Sequence, residues 1–345
     1  MSESVSETPV PVDSVAVLPS TEPSEKAAVT PAPKTSTPAA PSAAAATAAA
    51  AAAPASSTTL LARADGFVAH LQRCMQTRAG ADTVLMFACY ATRLAGNVLD
   101  IGGRAALRSS ARQLVTALFA LPPSTTVVLD SITAAPPPSI ALVLGLAQRL
   151  QAYSGMISEM RTMGRLWGLL GLYSALKGLV ARTFSAAPAA RKAKGQDDDP
   201  LSDESAEKTF ATLVAWAQVL CLVVFQACEN AAYLGSKKIL PIRPRSQGRL
   251  AILSVRFWGA YVAMEMAKHL AERARRLSAT GVKTDEQQQR AWHEGWRKAF
   301  YRNAAWAPLT MHWGTPGGLL PDVMVALFAL YPATGGMRDL WRSTA

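Results

Sequence analysis

Charge is scarce in this chain. Only 17% of its 345 residues are Asp, Glu, Lys or Arg, while 50% are hydrophobic, against about 25% charged in an ordinary soluble domain. A compact core alone cannot hide that much apolar surface, and lipid is the natural second hiding place. Histidine is sparse too: His70, His269, His293 and His312 stand far apart, and none falls in a metal-ligand or acid/base motif. The four cysteines, Cys74, Cys89, Cys221 and Cys228, have neither CxxC spacing nor the density of a disulfide framework. They read as buried thiols in a reducing compartment. GxGxxG and GxxxxGK[ST] are both missing, which leaves a nucleotide cradle without support. The doublets Gly102-Gly103, Gly317-Gly318 and Gly335-Gly336 read as helix ends, and no cofactor or metal is expected.

Targeting signals are also wanting. The run AAAATAAAAAA at 43–53 has no basic stretch before it and sits far from Met1, unlike a secretory signal. The first arginine is Arg63 and acidic residues precede it, which argues against a mitochondrial transit peptide. The last residues, Ser343, Thr344 and Ala345, are not an SKL-type address. A membrane protein inserted after synthesis needs none of these.

What is present is unevenly spread. The formal net charge is +11, yet residues 1–59 hold two lysines and five carboxylates. Residues 237–302 hold 15 basic and 5 acidic side chains, a density that attracts phosphates. Basic residues interleaved with long apolar runs, and no nucleic-acid-binding signature, favour lipid over nucleic acid as the partner. Residues 1–58 are almost entirely Ser, Thr, Pro and Ala, and are expected to be disordered. A second break at 185–208, rich in opposite charges, separates halves at 59–184 and 209–345.

The expected fold class is all-α: a helical membrane protein with amphipathic and transmembrane helices. Leu60, Ala64, Phe67, Val68, Leu71 and Met75 fall within one arc of a helix. Asp82 is the expected N-cap of a second helix running TVLMFACYATRL. Arg104, Arg108 and Arg112 follow at four-residue steps, with Leu107, Ala111, Leu114 and Leu118 on the neighbouring side. Such a helix either lies flat in an anionic interface with its leucines among acyl chains, or covers a protein core with its arginines in water. Pattern alone leaves both open.

Pro136-Pro137-Pro138 ends that region, and a helix is expected from near Ser139. The uncharged stretch 166–176 is too short to cross a bilayer. The main transmembrane candidate is 209–228, TFATLVAWAQVLCLVVFQAC, whose 20 uncharged residues make about 30 Å of helix. Gln218 and Gln226 require partners there, and Ala211 with Ala215 permits close helix contact. Charge flanks put 237–249 on the cytosolic side. Residues 250–264 suit the interface or packing on the span, and a polar helix is expected over 268–278. The stretch 318–337, interrupted by Pro321, Asp322 and Pro332, is a weaker spanning candidate. Trp292, Trp296, Trp306, Trp313 and Trp341 read equally as membrane-boundary belts or as core.

The ordered elements TRAGADTVLMFACYATRLAG, RTMGRLWGLLGLY, CENAAYLGSKKIL, RLAILSVRFWGAYVAMEMAK and WRKAFYRNAAWAPLTMHWGTPGGLLPD carry a resemblance. The first is similar to a GxDxxLxxxxYxxRL opening through Gly80, Asp82, Leu85, Tyr90, Arg93 and Leu94. Together, over about residues 60–345, they resemble the peroxisomal biogenesis factor 11 (peroxin-11) family, most closely its fungal C-type branch. The resemblance implies a non-enzymatic peroxisomal membrane protein whose amphipathic helix wedges into the cytosolic leaflet, elongating the organelle before dynamin-driven fission. It also implies self-association as a homo-oligomer or family hetero-oligomer. The matching helix lies between Ala91 and Leu118, with Arg104, Arg108 and Arg112 as contacts to anionic phospholipid. It is richer in alanine and poorer in bulky apolar residues than in better-characterised members. Three alternatives stand beside this reading: a solute pore lined by Gln218, Gln226 and Arg256, a scaffold recruiting fission factors through the tail and linker, and a membrane enzyme centred on His312 and Asp322.

Overall fold

The computed structural model describes residues 55–122, 137–193, 203–278 and 286–345. Among them every element is a helix and none is a strand, as the apolar periodicities require. In order these are α1 (Ala55–Met75), α2 (Arg78–Phe119), α3 (Pro138–Arg165), α4 (Gly168–Ala193), α5 (Asp203–Ser236), α6 (Pro244–Ser278), α7 (Glu286–Trp313) and α8 (Asp322–Ser343). α1 begins at Ala55, inside the segment expected to be disordered; residues 1–54 lie outside the described ones. α4 and α5 likewise run into the expected 185–208 linker, of which 194–202 lie outside the described residues.

Three expected boundaries move. Asp82 does not cap a helix: Thr77 does, its hydroxyl accepting from the Gly80 N–H at 3.0 Å. Asp82 lies in the second turn of α2 and turns sideways to α3. Nor do Gly102 and Gly103 end a helix. The two helices expected across this stretch are one rod of 42 residues, about 63 Å long. The Gly335-Gly336 doublet likewise lies inside α8. Only Gly317-Gly318 stands outside a helix, in the turn between α7 and α8: both residues have positive φ, 81° and 71°, a backbone region that favours glycine.

α2 and α3 pack antiparallel along a seven-residue repeat. Asp82, Cys89, Gly96 and Gly103 of α2 meet, in turn, Arg161, Ser154, the Ala147–Gln151 turn and Leu144 of α3. Small residues at 96 and 103 let the backbones approach: a Cβ on Gly103 would stand 2.6 Å from the Leu144 side chain. A seven-residue seam of this kind is the geometry of a coiled pair. α3 starts, as its prolines predict, with Pro138 in the first turn.

The other face of α2 enters the main core. Met86 and Tyr90 pack with Phe225 of α5, Val255, Trp258 and Val262 of α6, Trp306, Leu309 and Trp313 of α7, and Val325, Ala329 and Ala333 of α8. The core therefore crosses the 185–208 break. Trp258 sits at its centre, 5.4 Å from Trp306 and 6.3 Å from Trp313, ring to ring. Each such pair contributes about 0.5–1.5 kcal/mol beyond its buried area. Trp292 and Trp296 tie α7 to α6 under Arg276 and Arg273, and Trp341 stacks on His70 at 3.7 Å. Of the five tryptophans read as boundary belts or as core, Trp296, Trp306 and Trp313 are buried, and Trp292 and Trp341 are half-buried. The polar 268–278 stretch is the end of α6, not a helix of its own.

Candidate membrane-contact surface

Three helices, α2, α5 over Thr209–Ser236, and α6, are long and apolar enough to cross a membrane, and at most 28% of the most apolar stretch of any one is buried within the chain. The weaker candidate at 318–337 is not among them. Apolar side chains stand outward elsewhere too. On α3, Leu142, Leu146, Tyr153, Met156, Met160 and Met163 are all exposed, on the side away from the α2 seam. The expected stripe of α1 also points outward, since Leu60, Phe67, Val68 and Met75 are exposed. So much open apolar surface is the pattern of a membrane protein, with lipid replacing a second protein layer.

The sequence-predicted site residues all lie on the outer limb of α2, residues 104–119, none of which is buried. Arg104, Arg108 and Arg112 are exposed, and so are Leu107 and Leu114; Leu118 is half-covered. Leu107 and Leu114 therefore face no core among the described residues. Val115 and Phe119, the latter 87% exposed, extend the apolar surface to the tip. The arginines are not equivalent. Arg104 is drawn to Asp100, at 2.7 Å one turn earlier, whereas Arg108 and Arg112 have no carboxylate partner among the described residues.

The glutamines of α5 find the partners they need. Gln218 donates to Glu265 of α6 at 2.6 Å and accepts from Lys268 at 3.3 Å. Gln226 donates to Asn230 at 2.7 Å, and Asn230 donates to the Leu166 carbonyl at 3.1 Å. Arg256 of α6 is bonded to the Gly314 carbonyl at 3.0 Å. All three residues expected to line a pore thus have partners within the bundle: Gln218 on α6, Gln226 on its own helix, and Arg256 at the turn after α7.

Sequence reasoning missed the polar centre beside them. Arg161 of α3 grips Asp82 with two bonds, 2.7 and 2.9 Å. One turn on, Arg165 grips Glu229 of α5 in the same way, at 3.1 and 2.7 Å. Both arginines are buried, as is Glu229 at 2% exposure. Glu229 thus pairs with Arg165, and Lys237 further along α5 pairs with Glu159 of α3. Two fork-shaped guanidinium–carboxylate contacts fix α3 between α2 and α5 with a geometry lysine could not supply. Four-residue spacing of Arg161 and Arg165 was the available signal.

His312 and Asp322 are each engaged by other groups. The Nδ1 of His312 accepts from the backbone N–H groups of Leu319 and Leu320, at 2.7 and 2.8 Å, and Asp322 faces Arg93 at 3.6 Å. His312 is a cap for the turn between α7 and α8, and a Cβ on Gly318 would run into its ring. Burial holds the imidazole below its ordinary value; Asp322 opposes and Arg93 reinforces that lowering. A lowered folded value means the neutral ring is favoured in the folded state. Its contribution is complete above the free-histidine value of about 6.5 and is lost as pH falls through the folded one. His312→Asn keeps an acceptor but cannot titrate, so thermal stability of the full chain in detergent should fall less on acidification from neutral pH than for the parent. Identical acid sensitivity would remove His312 from the account. Among the described residues no group of His, Cys, Asp and Glu is placed to hold a metal ion.

Comparison of the chain with profiles of known families, with curated proteins and with solved structures returns no match.

Proposed function

We propose that this chain is an integral protein of the peroxisomal membrane that bends and elongates the organelle ahead of fission. The observation that carries the reading is the outer limb of α2, where Arg104, Arg108 and Arg112 stand beside Leu107 and Leu114 and all five are exposed. Placed in the cytosolic leaflet, the limb sets Leu107, Leu114 and Leu118 among acyl chains and Arg108 and Arg112 at phosphates. Insertion roughly 5–10 Å deep expands one leaflet only, and many copies together curve the bilayer. The apolar faces of α5 and α6 supply the anchor. The resemblance to the peroxin-11 family supports the choice of organelle, the dynamin-related fission machinery as a downstream partner, and self-association. A pore is the weaker reading, because each of its expected lining residues is already bonded to another group of the bundle.

The test uses the full tagged chain in cells. It should co-migrate with peroxisomes, resist carbonate extraction, and lengthen peroxisomes when overproduced. Carbonate-resistant residence in another organelle would overturn the peroxisomal assignment, and unchanged organelle length at high expression would overturn the shaping role.

A further inference from the structure

Between α7 and α8 lies a cavity of about 340 Å³ whose mouth carries Lys298, Arg302 and Arg338 together with Thr334. That volume is at the lower end of small-molecule sites, about 300–1,000 Å³. Its remaining wall is apolar: Leu327, Leu330 and Tyr331. Leu327 and Tyr331 are exposed, so the apolar wall opens outward, as a chain-bearing ligand requires.

The cations are held in different ways. Arg302 is bonded to Asp339 and lies flat across α8, which glycine at 335 permits: a Cβ there would stand 3.0 Å from the Arg302 Nε. Lys298 and Arg338 are exposed and have no carboxylate partner among the described residues. Burial alone would raise the Asp339 carboxyl, but the hydrogen bond and charge of Arg302, with the charges of Lys298 and Arg338, hold it below its ordinary value. One carboxylate therefore sits among three cations, and the mouth keeps an excess of two positive charges. A phosphomonoester carries about 1.5 to 2 negative charges at neutral pH with three acceptor oxygens, which matches both the charge and the number of donors. Cationic pockets between helices of a membrane protein are suited to phosphorylated lipid headgroups.

We infer that this cavity is a specific site for a phosphomonoester phospholipid, with the headgroup phosphate on Lys298, Arg302 and Arg338 and an acyl chain leaving along Leu327 and Tyr331. The inference rests on the membrane reading but not on the wedge, since the two sites share no residue.

The test is native mass spectrometry of the full chain in detergent with phosphatidic acid as the probe and phosphatidylcholine as the control lipid. One phosphatidic acid should remain bound to the parent and to the Arg104→Ala/Arg108→Ala/Arg112→Ala variant. Retention should fall about tenfold or more in Lys298→Ala/Arg338→Ala, where two of three charge contacts are gone. Both changed residues are exposed, and Lys298→Glu alone, with helix content compared by circular dichroism, guards against a folding artefact. Equal retention in the pocket variants would overturn the site. Loss in the Arg104, Arg108 and Arg112 variant instead would assign the lipid to the limb. Displacement by millimolar inorganic phosphate alone would mean that the site takes a soluble phosphate and not a lipid.

Discussion

Glu229→Ala should destabilise the full chain by about 3–5 kcal/mol, the cost of leaving a buried charge without its partner. Arg165 is buried, and its Nη1 already lacks a hydrogen-bond partner. Removing Glu229 would take away both carboxylate contacts and leave only the bond to Thr162 at 3.2 Å. The guanidinium stays protonated at any usable pH, so it cannot escape the cost by neutralising. The pair itself is a different matter. Desolvating two ions offsets most of their attraction, and replacing both with apolar groups of similar volume is often neutral or stabilising. Arg165→Met combined with Glu229→Leu should therefore recover most of the stability lost by Glu229→Ala. Thermal unfolding followed by circular dichroism in detergent measures all of these variants. A double variant as unstable as the single would mean that the two helices need the fork geometry itself, and a harmless Glu229→Ala would contradict the burial.

Leu107→Asp/Leu114→Asp/Leu118→Asp should abolish insertion of the limb and leave the chain embedded in the membrane. Burying a leucine is worth about 1.5–3 kcal/mol, so the three together supply about 5–9. The arginines supply less, about 1 kcal/mol each at an anionic surface, and Arg104 is already drawn to Asp100. The apolar contribution therefore dominates, and replacing all three arginines by alanine should weaken insertion only partly, more at low salt than at high. None of the three leucines enters the core, so the bundle should survive. In proteoliposomes, amide hydrogen exchange over 104–119 should be slow in the parent and fast in the aspartate variant, and electron microscopy should show tubules only with the parent. Tubules formed equally by both would rule out the wedge.

The helices themselves were legible, because apolar residues at three- and four-residue steps leave little else for the chain to form. Their joints were less so. Asp82 looks like a cap because a carboxylate preceding an apolar run usually is one, but its partner lies 79 residues on in Arg161, and local rules carry no information about so distant a contact. Gly102-Gly103 looks like a helix end because glycine costs about 1 kcal/mol in a helix interior; close approach to Leu144 outweighs that cost. The α2–α3 seam escaped a search for apolar periodicity because its repeat is spelled Asp, Cys, Gly, Gly. The openness of the limb at Leu107 and Leu114 was not legible, because a basic helix with a leucine stripe fits a core-covering helix as well as an interfacial one. The cationic cavity was invisible because Lys298, Arg302 and Arg338 come from two helices and are close only after these pack.

The continuity of α2 has a mechanical consequence. One rod of about 63 Å carries the limb at its far end and Asp82 near its start, with the coiled seam between them. In the wedge reading the limb is a lever arm, and a leaflet that tilts it exerts torque on the seam and on the Arg161 fork beyond. The glycine pair at 102 and 103 is the most compliant point of that arm, at the place where the seam ends. Stiffening it with alanine at the exposed Gly102 would transmit more of the load. The helix that deforms the bilayer would then also act as its gauge, registering curvature as strain in the packed bundle.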